Sequence, residues 1–195
     1  WRGIAVLDST VSDADIAQLH ELGVRGIRIN LLFKGGVDFD SIASLSERIK
    51  EWGWHLQCLI DVSDFSDLSS TLQRFNLPKV IDHMGHVPTH KGINTPGFQQ
   101  LLSDLDKGDT WVKISGPNRV TSQAHAPYHD VDPFLTALVE RNEERCVFGT
   151  DWPHVQLPGP MPNDGDLIDE LLRLVGSQET LEKILARNPE QLYGF

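Results

Sequence analysis

An aspartate and a histidine each follow a short apolar run of the chain. Val147-Phe148-Gly149-Thr150 leads into Asp151, and Val80-Ile81-Asp82 leads into His83. Because catalytic groups of α/β proteins lie at the C-terminal ends of parallel strands, both side chains are candidates for an active site there. Asp151 is predicted to be a general base that takes a proton from water, or a metal ligand. His83 is predicted to polarise a carbonyl or to bind a metal.

Arginine side chains accompany these two residues. Arg28 lies in the apolar run Arg25–Asn30, where an unpaired charge would be costly. We expect its guanidinium to hold a substrate carboxylate, with a buried structural ion pair as the alternative. Arg119 follows the fifth apolar run and is expected to contact the same substrate, with a solvated loop arginine as the alternative.

Three other polar residues carry weaker expectations. Lys34 follows the second run and is a candidate for binding an anionic substrate. His154 is a candidate for binding substrate or for orienting Asp151 and its loop. Asp82, one residue before His83, is expected to point to the opposite side of its strand and to be structural.

Composition limits the classes of function. The 195 residues carry 17 basic and 28 acidic side chains, a net charge of −11 that disfavours nucleic-acid and anionic-membrane partners. A few local arginines are still sufficient for a small anionic substrate. No apolar run approaches the roughly 20 residues of a membrane helix. Cys58 and Cys146 lie in apolar runs and are expected to be buried free thiols, which indicates a reducing compartment such as the cytoplasm.

The chain alternates strand-like and helical patterns without an internal linker, which predicts one α/β domain over residues 1–195 with a parallel sheet. The strand-like runs look apolar throughout, as for strands buried on both faces. About six strand–helix units leave two architectures open, an open doubly wound sheet and a (β/α)₈ barrel without its first two strands. The predicted strands are Gly3–Leu7, Arg25–Leu31, His55–Asp61, Lys79–His83, Trp111–Ser115 and Arg145–Thr150. The predicted helices are Asp13–Leu22, Phe39–Trp52, Leu68–Phe75, Gly97–Lys107, Pro133–Arg141, Asp166–Val175 and Gln178–Arg187.

Six segments together resemble the amidohydrolase-related family, in the branch that contains lactonases of pyrone dicarboxylates and sugar lactones. The eighth barrel strand of that family is the most specific match, at Cys146-Val-Phe-Gly-Thr-Asp-Trp-Pro-His154. The other matching segments, in chain order, are Arg2-Gly-Ile-Ala-Val-Leu-Asp8, Gly23-Val-Arg-Gly-Ile-Arg-Ile-Asn30, Lys79-Val-Ile-Asp-His-Met-Gly85, Trp111-Val-Lys-Ile-Ser-Gly116 with Arg119, and Asn188-Pro-x-x-Leu-Tyr-Gly-Phe195. Motifs of dinucleotide-binding, phosphate-loop and serine-hydrolase proteins are absent from the sequence.

The resemblance implies a TIM-type (β/α)₈ barrel that is N-terminally incomplete here, because the family's initial His-x-His strand has no counterpart. We therefore expect a fragment of a longer protein. The implied function is hydrolysis of a carboxylate-bearing lactone by water that Asp151 activates, with His83 supporting the carbonyl and Arg28 and Arg119 holding the carboxylate. The implied cofactor is none or one divalent metal (Zn or Mn), with His83 and Asp151 as candidate ligands. The alternatives are a metal-dependent decarboxylase and a truncated, non-catalytic barrel fragment. A further expectation is that the protein forms a homo-oligomer.

Overall fold

A computed structural model describes residues 1–33, 39–157 and 159–195. Its six strands form one parallel sheet in which neighbours in sequence are neighbours in space, in the order β1 to β6. This order is the curled arrangement of a (β/α)₈ barrel rather than the reversed order of a doubly wound sheet, so the sheet is a six-stranded half-barrel. The strands are β1 (Gly3–Ala5), β2 (Val24–Asn30), β3 (His55–Leu59), β4 (Lys79–Ile81), β5 (Thr110–Ile114) and β6 (Cys146–Phe148).

Helices alternate with the strands, as the periodicity predicts. Helix α1 begins at a capping box in which the Ser12 hydroxyl accepts the Asp15 backbone N–H and the Asp15 carboxylate accepts the Ser12 N–H. None of the described helices is long and apolar enough to cross a membrane. The helices are α1 (Asp13–Glu21), α2 (Ala43–Lys50), α3 (Leu68–Gln73), α4 (Pro96–Leu105), α5 (Pro117–Val120), α6 (Asp132–Asn142), α7 (Asp164–Leu174), α8 (Gln178–Glu182) and α9 (Asn188–Tyr193), with a π-helical turn at Lys183–Arg187 between the last two.

The two faces of the sheet differ in chemistry, and the expectation of uniformly apolar strands is wrong. One face packs against the helices and is apolar at its centre, with the buried polar residues Lys79 and Thr110 at its N-terminal end; its central members include Ile27, Ile29, Leu56, Cys58, Ile81, Val112 and Ile114. The intervening residues lie on the inner face of the half-barrel and include Arg28, His55, Gln57 and Lys113. Each strand therefore alternates with period two, which the many apolar residues on the helix side obscure in the sequence.

Along the strands the inner face is layered. Val80, Trp111 and Val147 form a small apolar cluster that contacts Leu192 of α9. His55 lies beside them, with its ring centroid 5.5 Å from that of Tyr193. The C-terminal helix thus closes the lower end of the half-barrel, and the polar groups above this floor lie towards the C-terminal ends of the strands.

Asn188 closes the outer edge of β6. Its side-chain amide donates to the Cys146 and Glu143 carbonyl oxygens, both at 2.7 Å, and the residue is 1% exposed. The bond to Cys146 supplies a donor to the edge strand β6, and the bond to Glu143 adds a second donor to a carbonyl of the preceding turn that also accepts the Cys146 N–H. The cysteines of β3 and β6 are free and buried, as expected.

Candidate active site

The two candidate catalytic residues face each other across the ends of β4 and β6. His83 Nε2 lies 3.6 Å from Asp151 Oδ1. The other carboxylate oxygen of Asp151 accepts a hydrogen bond from Nε of Arg119, whose Nη2 also donates to the Val155 carbonyl at 3.0 Å. The structure therefore brings Asp151, His83 and Arg119 together, and the aspartate keeps one oxygen directed at the histidine.

Strand β4 ends at Ile81 and β6 at Phe148, two residues earlier than the sequence predicted. Left-handed backbone follows each end: φ is +50° at His83 and +69° at Asp151. A non-glycine residue in this region costs about 1–3 kcal/mol, and such residues concentrate at functional sites. Both candidate side chains are thus turned out of the strand direction by backbone that the sequence pattern alone does not indicate.

Ser115 fixes the orientation of the His83 ring. Its hydroxyl lies 2.9 Å from His83 Nδ1. Gly116, at φ +62°, lets the ring approach, because a Cβ there would lie 2.8 Å from Nδ1. With Ser115 donating to Nδ1, the neutral imidazole carries its proton on Nε2, the nitrogen that faces Asp151.

Burial keeps His83 neutral. The side chain is 5% exposed, and burial lowers its pKa to about 4, against the opposing effects of Asp82 and Asp151. At neutral pH the imidazole is therefore a hydrogen-bond donor and not a cation. A neutral histidine of this kind can polarise a carbonyl oxygen.

Asp82 is the centre of a second group of charges one layer below. Its Oδ2 accepts hydrogen bonds from Arg28 Nε (3.1 Å), Arg28 Nη2 (2.9 Å) and Gln57 Nε2 (3.0 Å). Lys113 Nζ lies 3.0 Å from its Oδ1. Burial alone would raise the pKa of Asp82, but Lys113 and Arg28 hold the pKa below its usual range, so the carboxyl is ionised.

Asp82 therefore does not point away from the site as expected. The left-handed turn at His83 ends the strand alternation, so consecutive residues of this turn both serve the inner face. Arg28 makes the ion pair that the sequence left open as an alternative, yet its side chain remains 32% exposed. Its role in substrate binding stays a prediction.

The other predicted site residues lie in different environments. The His154 side chain is 1% exposed, and its Nε2 pairs with Asp164 Oδ1 at 2.7 Å at the start of α7. Its backbone N–H donates to the Asp151 carbonyl at 2.9 Å, so the described contacts of His154 organise the loop. Lys34 lies outside the described residues.

The sequence patterns did not predict a role in the site for three residues that the structure places there. Gln57, Lys113 and Ser115 occupy inner-face positions on strands or at a strand end, and polar residues at alternate positions of apolar runs are the signal that marks them. His86 also belongs to the upper layer, with its ring centroid 5.8 Å from that of His83.

The donor set of the site decides whether it can bind a metal ion. Within residues 1–33, 39–157 and 159–195, no group of three or more His, Cys, Asp or Glu side chains could hold a metal ion. His83 and Asp151 face each other, but an arginine already occupies one oxygen of the aspartate. These described residues by themselves do not fit a divalent-metal site, which needs at least three protein ligands for zinc.

Comparisons with known proteins agree with this geometry. The Amidohydro_2 model, described as amidohydrolase, matches residues 1–195. A 2-pyrone-4,6-dicarboxylate hydrolase of Comamonas testosteroni is 34% identical over 98% of this chain and 66% of its own. A 4-sulfomuconolactone hydrolase of Hydrogenophaga intermedia is 32% identical over 93% of this chain and 62% of its own. The chain therefore spans slightly less than two thirds of the length of these curated relatives.

A solved structure shows the same architecture. The crystal structure of a probable 2-pyrone-4,6-dicarboxylic acid hydrolase from Acinetobacter baumannii, with citric acid bound, is 26% identical. It superposes with a TM-score of 0.85 over 100% of this chain and 73% of its own. The half-barrel is thus the arrangement of a known larger fold.

Proposed function

The chain belongs to the Amidohydro_2 amidohydrolase family, and on that premise we propose that its site serves the hydrolysis of a lactone that carries a carboxylate. The observation that carries the proposal is the facing pair of a neutral histidine and an aspartate, with Arg119 holding the aspartate from behind. Two relatives above 30% identity are named as lactone hydrolases, and their substrates, by name, carry carboxylate or sulfonate groups.

Asp151 is the general base of the proposed reaction. Its Oδ1 takes a proton from water, and the water oxygen attacks the lactone carbonyl carbon. Arg119 keeps Oδ2 occupied, so that the free oxygen stays directed towards His83. When the tetrahedral intermediate collapses, the ring C–O bond breaks, and the proton on Asp151 passes to the departing ring oxygen.

His83 stabilises the negative charge that develops on the carbonyl oxygen. Its Nε2–H donates to that oxygen, while Ser115 holds the ring through Nδ1. A neutral donor serves this role without losing its proton to Asp151, because the pKa of about 4 describes loss of a proton from the imidazolium and not from the neutral ring.

Charge in the site suits an anionic substrate. Arg28, Lys113 and Arg119 contribute three positive charges. Asp82 and Asp151 contribute two negative charges, and the net is +1 while the whole chain carries −11. A local excess of cations inside an acidic protein is the arrangement expected for selective capture of a small anion.

The family leads us to expect either no cofactor or one divalent metal. The described residues supply two facing donors, His83 and Asp151, and the proton transfers proposed above involve only side chains of this chain. The alternative of a metal-dependent decarboxylase would need further ligands beyond His83 and Asp151.

Asp151→Asn in the full-length gene product tests the proposal. Turnover of a panel of six-membered lactones with zero, one or two carboxylates would be followed by the acid released. We expect the variant to lower kcat by about 10²–10⁴-fold, the usual contribution of a general base. Asp106→Asn is the matched control, since Asp106 also pairs with an arginine, Arg141, but lies on the surface.

Two outcomes contradict the proposal. Turnover by Asp151→Asn at the rate of Asp106→Asn would remove the base from the mechanism. A folded wild-type protein that hydrolyses no member of the panel would favour the non-catalytic alternative. Thermal unfolding of each variant separates loss of chemistry from loss of fold.

A further inference from the structure

Lys113 is a cation on the inner face of the half-barrel that takes no part in the proposed proton transfers. Its side chain is 19% exposed, and its ammonium lies 3.0 Å from Asp82 Oδ1. The lysine stem passes over Gly149, where an added Cβ would lie 3.5 Å from Lys113 Cδ. The neighbouring strand therefore leaves room for the stem to extend along the inner face towards Asp82.

Arg28 approaches the same carboxylate from the other side. Its Nε and Nη2 bind Oδ2, while Lys113 is next to Oδ1. The Arg28 side chain is 32% exposed, and Nη1 has no hydrogen-bond partner among the described residues. The buried carboxylate of Asp82 thus lies between two cations, Arg28 of β2 and Lys113 of β5.

The charges of this group do not balance. Asp82 carries one negative charge against two positive ones, and Asp151 in the layer above is engaged by Arg119. Two cations held together in a partly dehydrated site repel each other and lack full solvation. A second anion placed against both would relieve that cost.

The family resemblance already implies that Arg28 holds a substrate carboxylate; we propose that Lys113, joined to Arg28 through Asp82, completes a single dibasic cradle for that carboxylate. In this cradle Asp82 is a positioning residue: it sets the separation and direction of the two cations and does not touch the substrate. The assignment of the anion to a lactone substrate rests on the proposed function, but the binding of a carboxylate by the cradle does not.

A purely structural role does not explain why a charged lysine, and not a neutral donor, lies beside Asp82. The bidentate hydrogen bonds from Arg28, together with Gln57, already satisfy Oδ2 and neutralise the carboxylate. A hydroxyl or an amide near Oδ1 would complete its hydrogen bonding without adding a charge. A second full charge instead favours an anionic ligand.

Citrate binding by calorimetry tests the cradle independently of turnover. Lys113→Met is compared with Lys50→Met, which removes the same charge from an exposed position at the end of α2. We expect Lys113→Met to weaken citrate binding roughly ten- to hundredfold, the usual effect of losing a charged contact, and Lys50→Met to leave it within about twofold. Equal citrate affinity in the two variants would overturn the cradle.

Asp82→Asn separates positioning from simple electrostatics. Removing its negative charge makes the site more positive, so a purely electrostatic role predicts tighter citrate binding. A positioning role predicts binding at least about tenfold weaker, because the asparagine amide cannot accept hydrogen bonds from both cations. Tighter binding would overturn the positioning claim. If this variant does not fold, Gln57→Met loosens the same carboxylate without a change of charge and should weaken citrate severalfold; unchanged affinity would overturn the claim equally.

Kinetics then connect the cradle to the substrate. With a carboxylate-bearing lactone, Lys113→Met should raise KM at least about tenfold with kcat within about threefold, and a lactone without the carboxylate should be unaffected. A similar loss with both lactones would refute the substrate assignment. Lys113-dependent citrate binding without hydrolysis of any lactone would leave the cradle standing and reject the proposed function.

Discussion

A change of pH tests whether the His83 ring is neutral in the folded protein. Burial lowers the His83 pKa to about 4, against about 6.5 for an exposed histidine. At pH 5 about 9% of His83 is therefore protonated, whereas an ordinary histidine would be about 97% protonated. Because the proposed role needs the neutral ring, we expect kcat/KM to show no loss centred near pH 6.5.

The same shift has a consequence for stability. A histidine whose folded pKa is depressed binds its proton less tightly in the folded chain than in the unfolded chain. Between about pH 6.5 and pH 4 the unfolded state takes up more protons, so stability falls as the pH falls through this window. For His83 the total loss is about 3 kcal/mol once the pH is below 4.

Two measurements check these statements. Histidine ring resonances followed by NMR from pH 8 to pH 3.5, with His83→Gln to assign the signal, report the pKa directly. Urea unfolding at pH 7 and pH 4.5 should show a smaller pH effect in His83→Gln than in wild type, while exposed His125→Gln behaves as wild type. An NMR midpoint near 6.5, or a half-loss of kcat/KM there that His83→Gln abolishes, would refute the neutral-donor argument.

Three further predictions concern neighbouring contacts. Ser115→Ala should lower kcat about five- to tenfold with little change in KM, because Nδ1 loses the hydroxyl that orients the ring; an unchanged kcat in steady-state assays would exclude that role. Asp130→Asn should lower the melting temperature at pH 7 but have little effect at pH 2. Burial raises the pKa of Asp130, but hydrogen bonds from Ser122, Thr121 and Thr89 bring that pKa down to about 2. The stability that these bonds contribute is therefore fully present above pH 3.8, the ordinary pKa of an aspartate, and is lost as the pH falls through about 2. Asn188→Ala should destabilise by about 1–3 kcal/mol in urea unfolding, because the Cys146 carbonyl of β6 and the Glu143 carbonyl of the preceding turn both lose the buried Asn188 amide as a donor, whereas exposed Gln191→Ala on the same helix should have little effect.

The order of strands and helices was predictable from the sequence because it depends on local periodicity. All six predicted strands and the major helices form, and the capping box at Ser12 marks the start of α1 correctly. Helix α2 begins at Ala43 rather than at Phe39 as predicted, and no side-chain cap marks its start in the sequence. Arg119, predicted on a loop, lies in the short helix α5, which begins with Pro117.

The ends of β4 and β6 were less predictable. A strand-like run such as Val147–Thr150 continues in the sequence after the ladder has stopped at Phe148. The left-handed conformation at His83 and Asp151 depends on tertiary contacts, and the residue types histidine and aspartate do not predict it. The candidate pair was nevertheless found, because the position of a polar residue after an apolar run does not depend on the last residue of the strand.

The charged layer around Asp82 was hidden for a different reason. Its members come from four strands, and their contacts join residues 25 to 54 positions apart in the chain. No local pattern reports such a pairing. What the sequence does contain is a polar residue on the inner face of three strands, Arg28 on β2, Gln57 on β3 and Lys113 on β5, and this period-two signal is visible once the helix-facing residues are set aside.

Two aspartates of the same site illustrate how environment separates roles. Asp82 is fully buried, and the donors of Arg28, Gln57 and Lys113 surround it, so a transferred proton would have to displace a cation. Asp151 is 17% exposed, has one arginine partner and keeps one oxygen beside a neutral imidazole. The first carboxylate is suited to hold charges in place and the second to accept a proton from water. The burial of each carboxylate and the number of its partners, rather than the residue type, therefore support the proposal that Asp151 is the base.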